Sequence, residues 1–371
     1  MKKTLIALAA VAVTSTAMAQ VTLSGTFDFS PMSTGKLTTQ AASGGTAETA
    51  VKTSTTGSTA SWATNDIRFK AVEDLGGGLS LTAYISQGTF GNGFVARDNY
   101  VDLAGGFGSI RIGRFHPSIN GYATDGAGTT NTAGTTYGMG GGGGTFSGTA
   151  GETASLTMTA GSFQRQSNLV QYTSPNMNGF TASVLYANTT SDSSVLAGEV
   201  KVGQTGLNLS YSAGPLKAYI GMNDRDVDAV GTSTTAFGDK IAASYDYVGA
   251  SYDLGVAKIS ASHATRKDTT TVTAGTATIN SDISMNAFGV SVPVGAMTLT
   301  ASTYSGTDAR NAGVATDDMK LSGNQFSLSY PMSKRTSLYA VVGENNVKRD
   351  AGSTAATSKS TATSVGLVHS F

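Results

Sequence analysis

Along much of this 371-residue chain, apolar and polar side chains alternate one for one. Leu79, Leu81, Ala83 and Ile85 fall on one side of an extended backbone, with Ser80, Thr82, Tyr84 and Ser86 on the other. Phe180, Ala182, Val184 and Tyr186 alternate in the same way against Thr181, Ser183 and Leu185. The pattern recurs at Leu207, Leu209 and Tyr211, at Leu216, Ala218, Ile220 and Met222, at Met297, Leu299 and Ala301, and at Phe326, Leu328 and Tyr330. Period two predicts strands with one apolar face, because successive side chains point to opposite sides. Gly, Pro, Asn or Asp stand close to the ends of these runs, as turns require. The opposite faces are small and polar rather than charged, unlike the outside of a soluble sandwich.

Short connections are predicted at Asp74–Gly78, Gly105–Gly108, Pro175–Gly179, Ala213–Pro215, Leu254–Gly255, Pro293–Gly295 and Pro331–Lys334. Longer Thr-, Gly- and Ser-rich segments lie near 31–60, 88–96, 116–166, 189–197, 223–238, 267–281, 305–322 and 344–361. The intervening runs number about sixteen, with both termini on the short-turn side, as in an antiparallel membrane barrel. The expected fold is therefore all-β, a closed antiparallel transmembrane barrel, since an open edge in lipid would strand unpaired backbone groups. From Asp239 to Leu254 the apolar parity slips: Ile241, Ala243, Tyr245 and Tyr247 are odd, while Val248, Ala250, Tyr252 and Leu254 are even. A β-bulge or a tight turn near Val248 would each explain the slip.

The two ends point to a compartment. Val365, Leu367, His369 and Phe371 share one face of a closing strand that stops on Phe, the usual terminal signal of bacterial outer-membrane barrels. Met1–Ala19 has a charged start, an apolar run from Leu5 to Val13 and an Ala17-Met18-Ala19 cleavage site, which predicts a signal peptide at 1–19 and a barrel domain at 20–371. The expected location is the outer membrane of a Gram-negative cell. The expected partners are outer-membrane lipid and the barrel-assembly machinery, which would read Phe371.

Composition narrows the function. The chain has no Cys, which fits export through an oxidising compartment and excludes a thiol enzyme or Cys-bound zinc. It carries 24 basic and 24 acidic residues; without Lys2 and Lys3 the balance is 22 against 24. No nucleic-acid partner is expected from such a balance. Hydrophobic residues make up 39%, and beyond the first segment no apolar run is long enough for a membrane helix. A barrel needs only every second strand residue to be apolar.

The same parity sorts the charges. Asp66, Arg68 and Lys70 fall together opposite Ile67, Phe69 and Ala71, and Arg111 opposes Ile110 and Ile112. Tyr100 and Asp102 face inward on the preceding strand. A charge on the lipid face at the midplane would cost about 2–4 kcal/mol, which places these residues in the lumen. Arg114 has the opposite parity but stands at a loop junction. Between His116 and Gln166, Asp125, Glu152 and Arg165 are the side chains charged at neutral pH. The pore-lining and selectivity candidates are Arg68, Lys70, Arg111, Arg114, Asp102 and Glu152. No catalytic residue is expected, and no metal or cofactor: His116, His263 and His369 are scattered, and the Gly140–Gly144 run lacks the Lys and helix of a phosphate loop. Trp62, Tyr172, Tyr186, Tyr211, Tyr330 and Phe371 are candidates for interfacial aromatic girdles.

Several fragments together resemble one family: QVTLSGTFD (20–28), RFKAVEDLGGGLSLTAYIS (68–86), NYVDLAGGFGSIRIGRF (99–115), NLVQYTSPNMNGFTASVLYAN (168–188), YDLGVAKISA (252–261), SKRTSLYA (333–340) and the closing VGLVHSF. Their order and spacing resemble the Gram-negative general porins, especially those of β-proteobacteria. The resemblance implies a sixteen-stranded barrel, usually a homotrimer, whose third outer loop folds inward and narrows the pore. It implies passive diffusion of ions and small hydrophilic solutes. The chain departs from the family at Gln171 and Thr173, where an Arg and an Asp are frequent. A substrate-selective channel is the alternative, for which a line of lumenal aromatics would be expected and none stands out. A barrel enzyme or an adhesin are further alternatives.

Overall fold

A computed structural model of the chain describes residues 20–30, 32–34, 38–41, 46–47, 53–55, 65–88, 95–117, 145–148, 152–155, 165–193, 198–231, 240–271, 278–312, 316–349 and 356–371. The expected signal peptide, Trp62, Asp125 and Gly140–Gly144 lie outside the described residues. Sixteen strands form the wall. They are β1 (Gln20–Phe29), β2 (Asp66–Gly76), β3 (Leu79–Gly88), β4 (Val95–Gly105), β5 (Gly108–Phe115), β6 (Gln166–Thr173), β7 (Phe180–Ser193) and β8 (Gly198–Ala213). They continue as β9 (Leu216–Gly231), β10 (Lys240–Asp253), β11 (Lys258–Thr271), β12 (Thr278–Val294), β13 (Met297–Ala312), β14 (Thr316–Pro331), β15 (Thr336–Arg349) and β16 (Ala356–Ser370). Each pairs antiparallel with the next, and β16 returns to β1 through Thr26↔Ser370 to Phe29↔Leu367. Closure leaves no open sheet edge, which a hydrocarbon surround demands.

All seven short connections fall where turn chemistry predicts them. Gly77, Gly214, Gly255 and Gly295 adopt positive φ at four of these turns. At the β6–β7 turn Asn178 also has positive φ, and the Asn176 carboxamide accepts the Gly179 N–H at 2.8 Å. The long segments differ from expectation. Strands run deep into five of them: β7 continues to Ser193, β9 to Gly231, β11 to Thr271, β13 to Ala312 and β15 to Arg349. The apolar alternation stops where lipid stops, but backbone pairing goes on above it.

Where the parity slips, between Lys240 and Asp253, there is neither a bulge nor a turn. Strand β10 pairs in unbroken register with β9 and β11 from Lys240 to Asp253. Ala243, Tyr245 and Tyr247 are buried on the lumenal face, and Val248 and Tyr252 are exposed on the outer face. The parity slip is an apolar inner face in the upper half followed by an apolar outer face in the lower half.

Outward residues include Leu23, Phe69, Ile85, Val101, Ile112, Val184, Leu207, Ile220, Phe288, Phe326 and Val365, all exposed. A row of Ala218, Ala250 and Ala261 between Tyr211 and Phe288 makes an outward trough of about 610 Å³ in this lipid-facing wall. Strand lengths are uneven. Strands β1 to β6 have 8–11 described residues, whereas β7 to β16 have 14–17. About 9–11 tilted residues suffice to cross a bilayer, so β7 to β16 rise beyond it as a polar collar. Asp224, Asp226, Asp246 and the Lys267–Asp282 ion pair lie on that collar's outer side.

The seam is reinforced on both faces. On the lumenal side the Tyr339 hydroxyl on β15 crosses β16 and donates to Asp28 on β1 at 2.8 Å, its ring lying over Gly366. On the outer side Phe371 exchanges backbone hydrogen bonds with Gly25, at 3.1 and 3.2 Å. The Phe371 ring stacks on Phe27 at 5.8 Å. A Cβ on Gly25 would stand 2.5 Å from that ring, so the terminal aromatic is seated against bare backbone.

Candidate lumen wall

Strands β2 to β6 carry most of the charges singled out by parity. Asp66 is buried, and Arg68, two residues on along the same face, grips it: Nε donates to Oδ2 at 3.0 Å and Nη2 lies 2.8 Å from Oδ1. The Arg97 Nε lies 4.0 Å from Oδ2 of the same carboxylate. Register then sets Asp102 on β4 opposite Arg111 on β5. Arg111 donates from Nε at 3.0 Å and from Nη2 at 2.7 Å to Asp102 Oδ2. Its guanidinium also lies 4.1 Å from the Tyr100 ring centroid and 5.5 Å from that of Phe115. An arginine over aromatic faces keeps its charge while resting on a rigid floor.

The other candidates are placed as follows. Lys70 is exposed and sits between Thr22 and Tyr84 in register, without a carboxylate partner among the described residues. Arg114 pairs with Asn99 on the outward parity, as the sequence indicates, but its guanidinium turns along the rim. There Nε donates to the Arg97 carbonyl at 3.2 Å and Nη1 to the Ser167 hydroxyl at 3.4 Å. Glu152 stands at the end of a short antiparallel ribbon, Thr145–Gly148 with Glu152–Ser155, inside the β5–β6 connection. Its side chain lies outside the described residues.

Several groups on this wall escape the sequence pattern. Arg165 donates from Nε to Asp98 Oδ1 at 2.6 Å, tying the end of the β5–β6 connection to β4. Asp98 in turn receives the Ser86 hydroxyl oxygen as acceptor for its own N–H at 3.0 Å. A register shift between Ile85 and Gln87 scrambles parity here, so Arg97 and Asp98 have no readable face in the sequence. His116, just past β5, is held to about 4 by burial and then by the Arg165 cation, so it is neutral at physiological pH. A line of aromatics also exists: Tyr84 stacks on Tyr100 at 4.9 Å, and Tyr100 meets Phe115 edge-on at 6.0 Å. Tyr100 has readable inward parity, and Tyr84 falls on the polar face of β3 with Ser80, Thr82 and Ser86. Of the girdle candidates, Tyr172, Tyr186, Tyr330 and Phe371 are exposed on the outer face, and Tyr172 donates to the Phe107 carbonyl at 2.7 Å.

On this wall three acids are matched by arginines, and Tyr84 and Tyr100 form a stacked backing. Residues 4–350 match the family model described as Gram-negative porin. Outer membrane porin protein 32 of Delftia acidovorans is 30% identical over 70% of this chain and 68% of its own length. Among solved structures, an anion-selective porin from Comamonas acidovorans has a TM-score of 0.63 at 24% identity, covering 95% of this chain and 100% of its own. The trimer form of in-vitro folded OmpT, an outer membrane protein of Vibrio cholerae, has a TM-score of 0.60 at 14% identity, covering 95% of this chain and 99% of its own.

Proposed function

The chain belongs to the Gram-negative porin family, and from that premise we propose that its ion preference is set on the β2–β6 wall. The protein is an outer-membrane porin, a water-filled channel for passive diffusion of ions and small hydrophilic solutes. Such a channel needs a lumen, a narrowing and charges that bias entry, and no catalytic group. No enzymatic activity is assigned to it.

The observation that carries the proposal is the charge match on the wall. Asp66, Asp102 and Asp98 are each bound to an arginine, while Lys70 and Arg114 stand nearby without an ion pair among the described residues. The surplus is positive, so the channel is weakly anion-selective, like the anion-selective porin from Comamonas acidovorans. Arg68, Lys70, Arg111 and Arg114 supply the cations and Asp102 the counter-charge. Glu152, on the ribbon of the third outer loop, is the acid that would face them where that loop narrows the pore. Assembly as a homotrimer follows the precedent of the trimeric neighbour, and Phe371 is the residue the barrel-assembly machinery reads.

The test is the reversal potential across a planar bilayer under a KCl gradient at low salt. Arg68→Gln with Arg111→Gln removes two lumenal cations, frees Asp102 and leaves Asp66 only the 4.0 Å contact with Arg97, so the potential should move towards cation preference. At about 1 M salt, where the Debye length is about 3 Å, wild type and variant should converge. An unshifted potential in the double variant would show that these charges only solvate the wall.

A further inference from the structure

A second polar constellation lies further round the lumen, on β7 to β9. Register sets Ser183 opposite Asn208 and, two residues further along each strand, Leu185 opposite Gly206 and Gly206 opposite Asn223. The next row places Ala187, Gln204, Arg225 and Ala243 side by side. A Cβ on Gly206 would collide with the Asn223 carboxamide oxygen, so that side chain lies across the glycine. It reaches Asn208, whose Oδ1 accepts from Asn223 Nδ2 at 3.2 Å.

These side chains are left with unmet polar atoms. Ser183, Gln204, Asn208 and Asn223 are 2%, 2%, 0% and 1% exposed. Both ends of the Gln204 carboxamide, Asn208 Nδ2, Asn223 Oδ1, Ser183 Oγ and Arg225 Nε are buried without a hydrogen-bond partner among the described residues. Such a concentration is unusual, because buried polar groups are nearly always satisfied. The charges tell the same story. Arg266, on β11, is matched by Asp268 at 2.7 Å, whereas Arg225 makes no ion pair among the described residues. Asn223 fills the space over Gly206, while Arg225, flanked in its row by Gln204 and Ala243, is only half-buried.

We propose that this patch is a binding station for a small polyhydroxylated carboxylate, such as a sugar acid, in transit through the lumen. Arg225 supplies the charge that a carboxylate needs. The amides of Gln204, Asn208 and Asn223 and the Ser183 hydroxyl offer donors and acceptors together, which is what hydroxyl groups require. Ions need no such set. The station rests on the channel reading above and adds to it a solute preference. Because conduction requires release as well as capture, its affinity is weak, on the order of millimolar.

The experiment is block of ion current through the intact protein in a planar bilayer at constant KCl, with potassium D-gluconate added. Current should fall saturably with gluconate and remain unchanged with D-glucose at the same concentration. Arg225→Gln should raise the half-blocking concentration about tenfold or more, as expected for loss of a charge-assisted hydrogen bond. Arg225→Lys, which keeps the charge and loses the fork, should raise it less. Gln204→Leu should weaken the block as well. Conductance in KCl alone separates the two readings. Conducting wild-type channels without saturable block overturn the station and leave the channel intact, whereas absence of conductance overturns both. Equal block by glucose, or a block unchanged in both Arg225→Gln and Gln204→Leu, also overturns the station.

Discussion

Tyr339 shows how much one atom carries in a wall only one layer thick. Its hydroxyl is the donor that joins β15 to Asp28 on β1 across an intervening strand. Tyr339→Phe keeps the ring over Gly366 and deletes the donor, leaving a buried carboxylate with one partner fewer. The expected loss is about 1–3 kcal/mol, read as a lower midpoint of thermal or denaturant unfolding in detergent. His116 acts through its protonation. Its folded value, about 4, lies below the ordinary 6.5, so the folded protein favours the neutral ring. That contribution is fully present above about pH 6.5 and is lost as pH falls through about 4, because over this window the unfolded chain binds the proton first. His116→Gln should flatten the decline of the unfolding midpoint between those two values. A slope equally steep in the variant would place the sensitivity in other groups.

At the scale of strands, the lipid-facing pattern was the legible part. Six alternating runs and seven turn clusters marked the barrel's lower half and its short connections, because hydrocarbon demands an apolar side chain at every outward position. Nothing imposes such a rule above the membrane, so Asp224, Arg225 and Asp226 read as loop although they belong to β9. The lumenal face imposes none either, which is why Tyr245 and Tyr247 disguised a straight strand as a broken one. The candidate site was legible to the same degree. Asp66, Arg68, Tyr100, Asp102 and Arg111 sit in regular register and showed their faces, while Arg97 and Asp98 follow a register shift and did not. The β10 assignment carries its own prediction. Val248 faces lipid, so Val248→Lys should cost up to about 2–4 kcal/mol if it lies near the midplane and cut the yield of heat-modifiable barrel. A bulged or turned β10 would tolerate the same change.

At the scale of the whole molecule, acids and bases nearly cancel, so little long-range field steers solutes to the mouth. Any preference must then arise at close quarters, within a Debye length of individual side chains, which is where the proposals above put it. The ring also orders events in time. Thr26 and Ser370 meet with their hydroxyls 3.4 Å apart although 344 positions separate them in the chain, and Tyr339 meets Asp28 over 311. Contacts of such range come late, since the chain's wandering must be overcome before they reward it. Because β16 closes on β1, the ring cannot fasten before β16 has been made and exported. Until then the strands already paired keep an open margin, which is the hazard of any unclosed sheet.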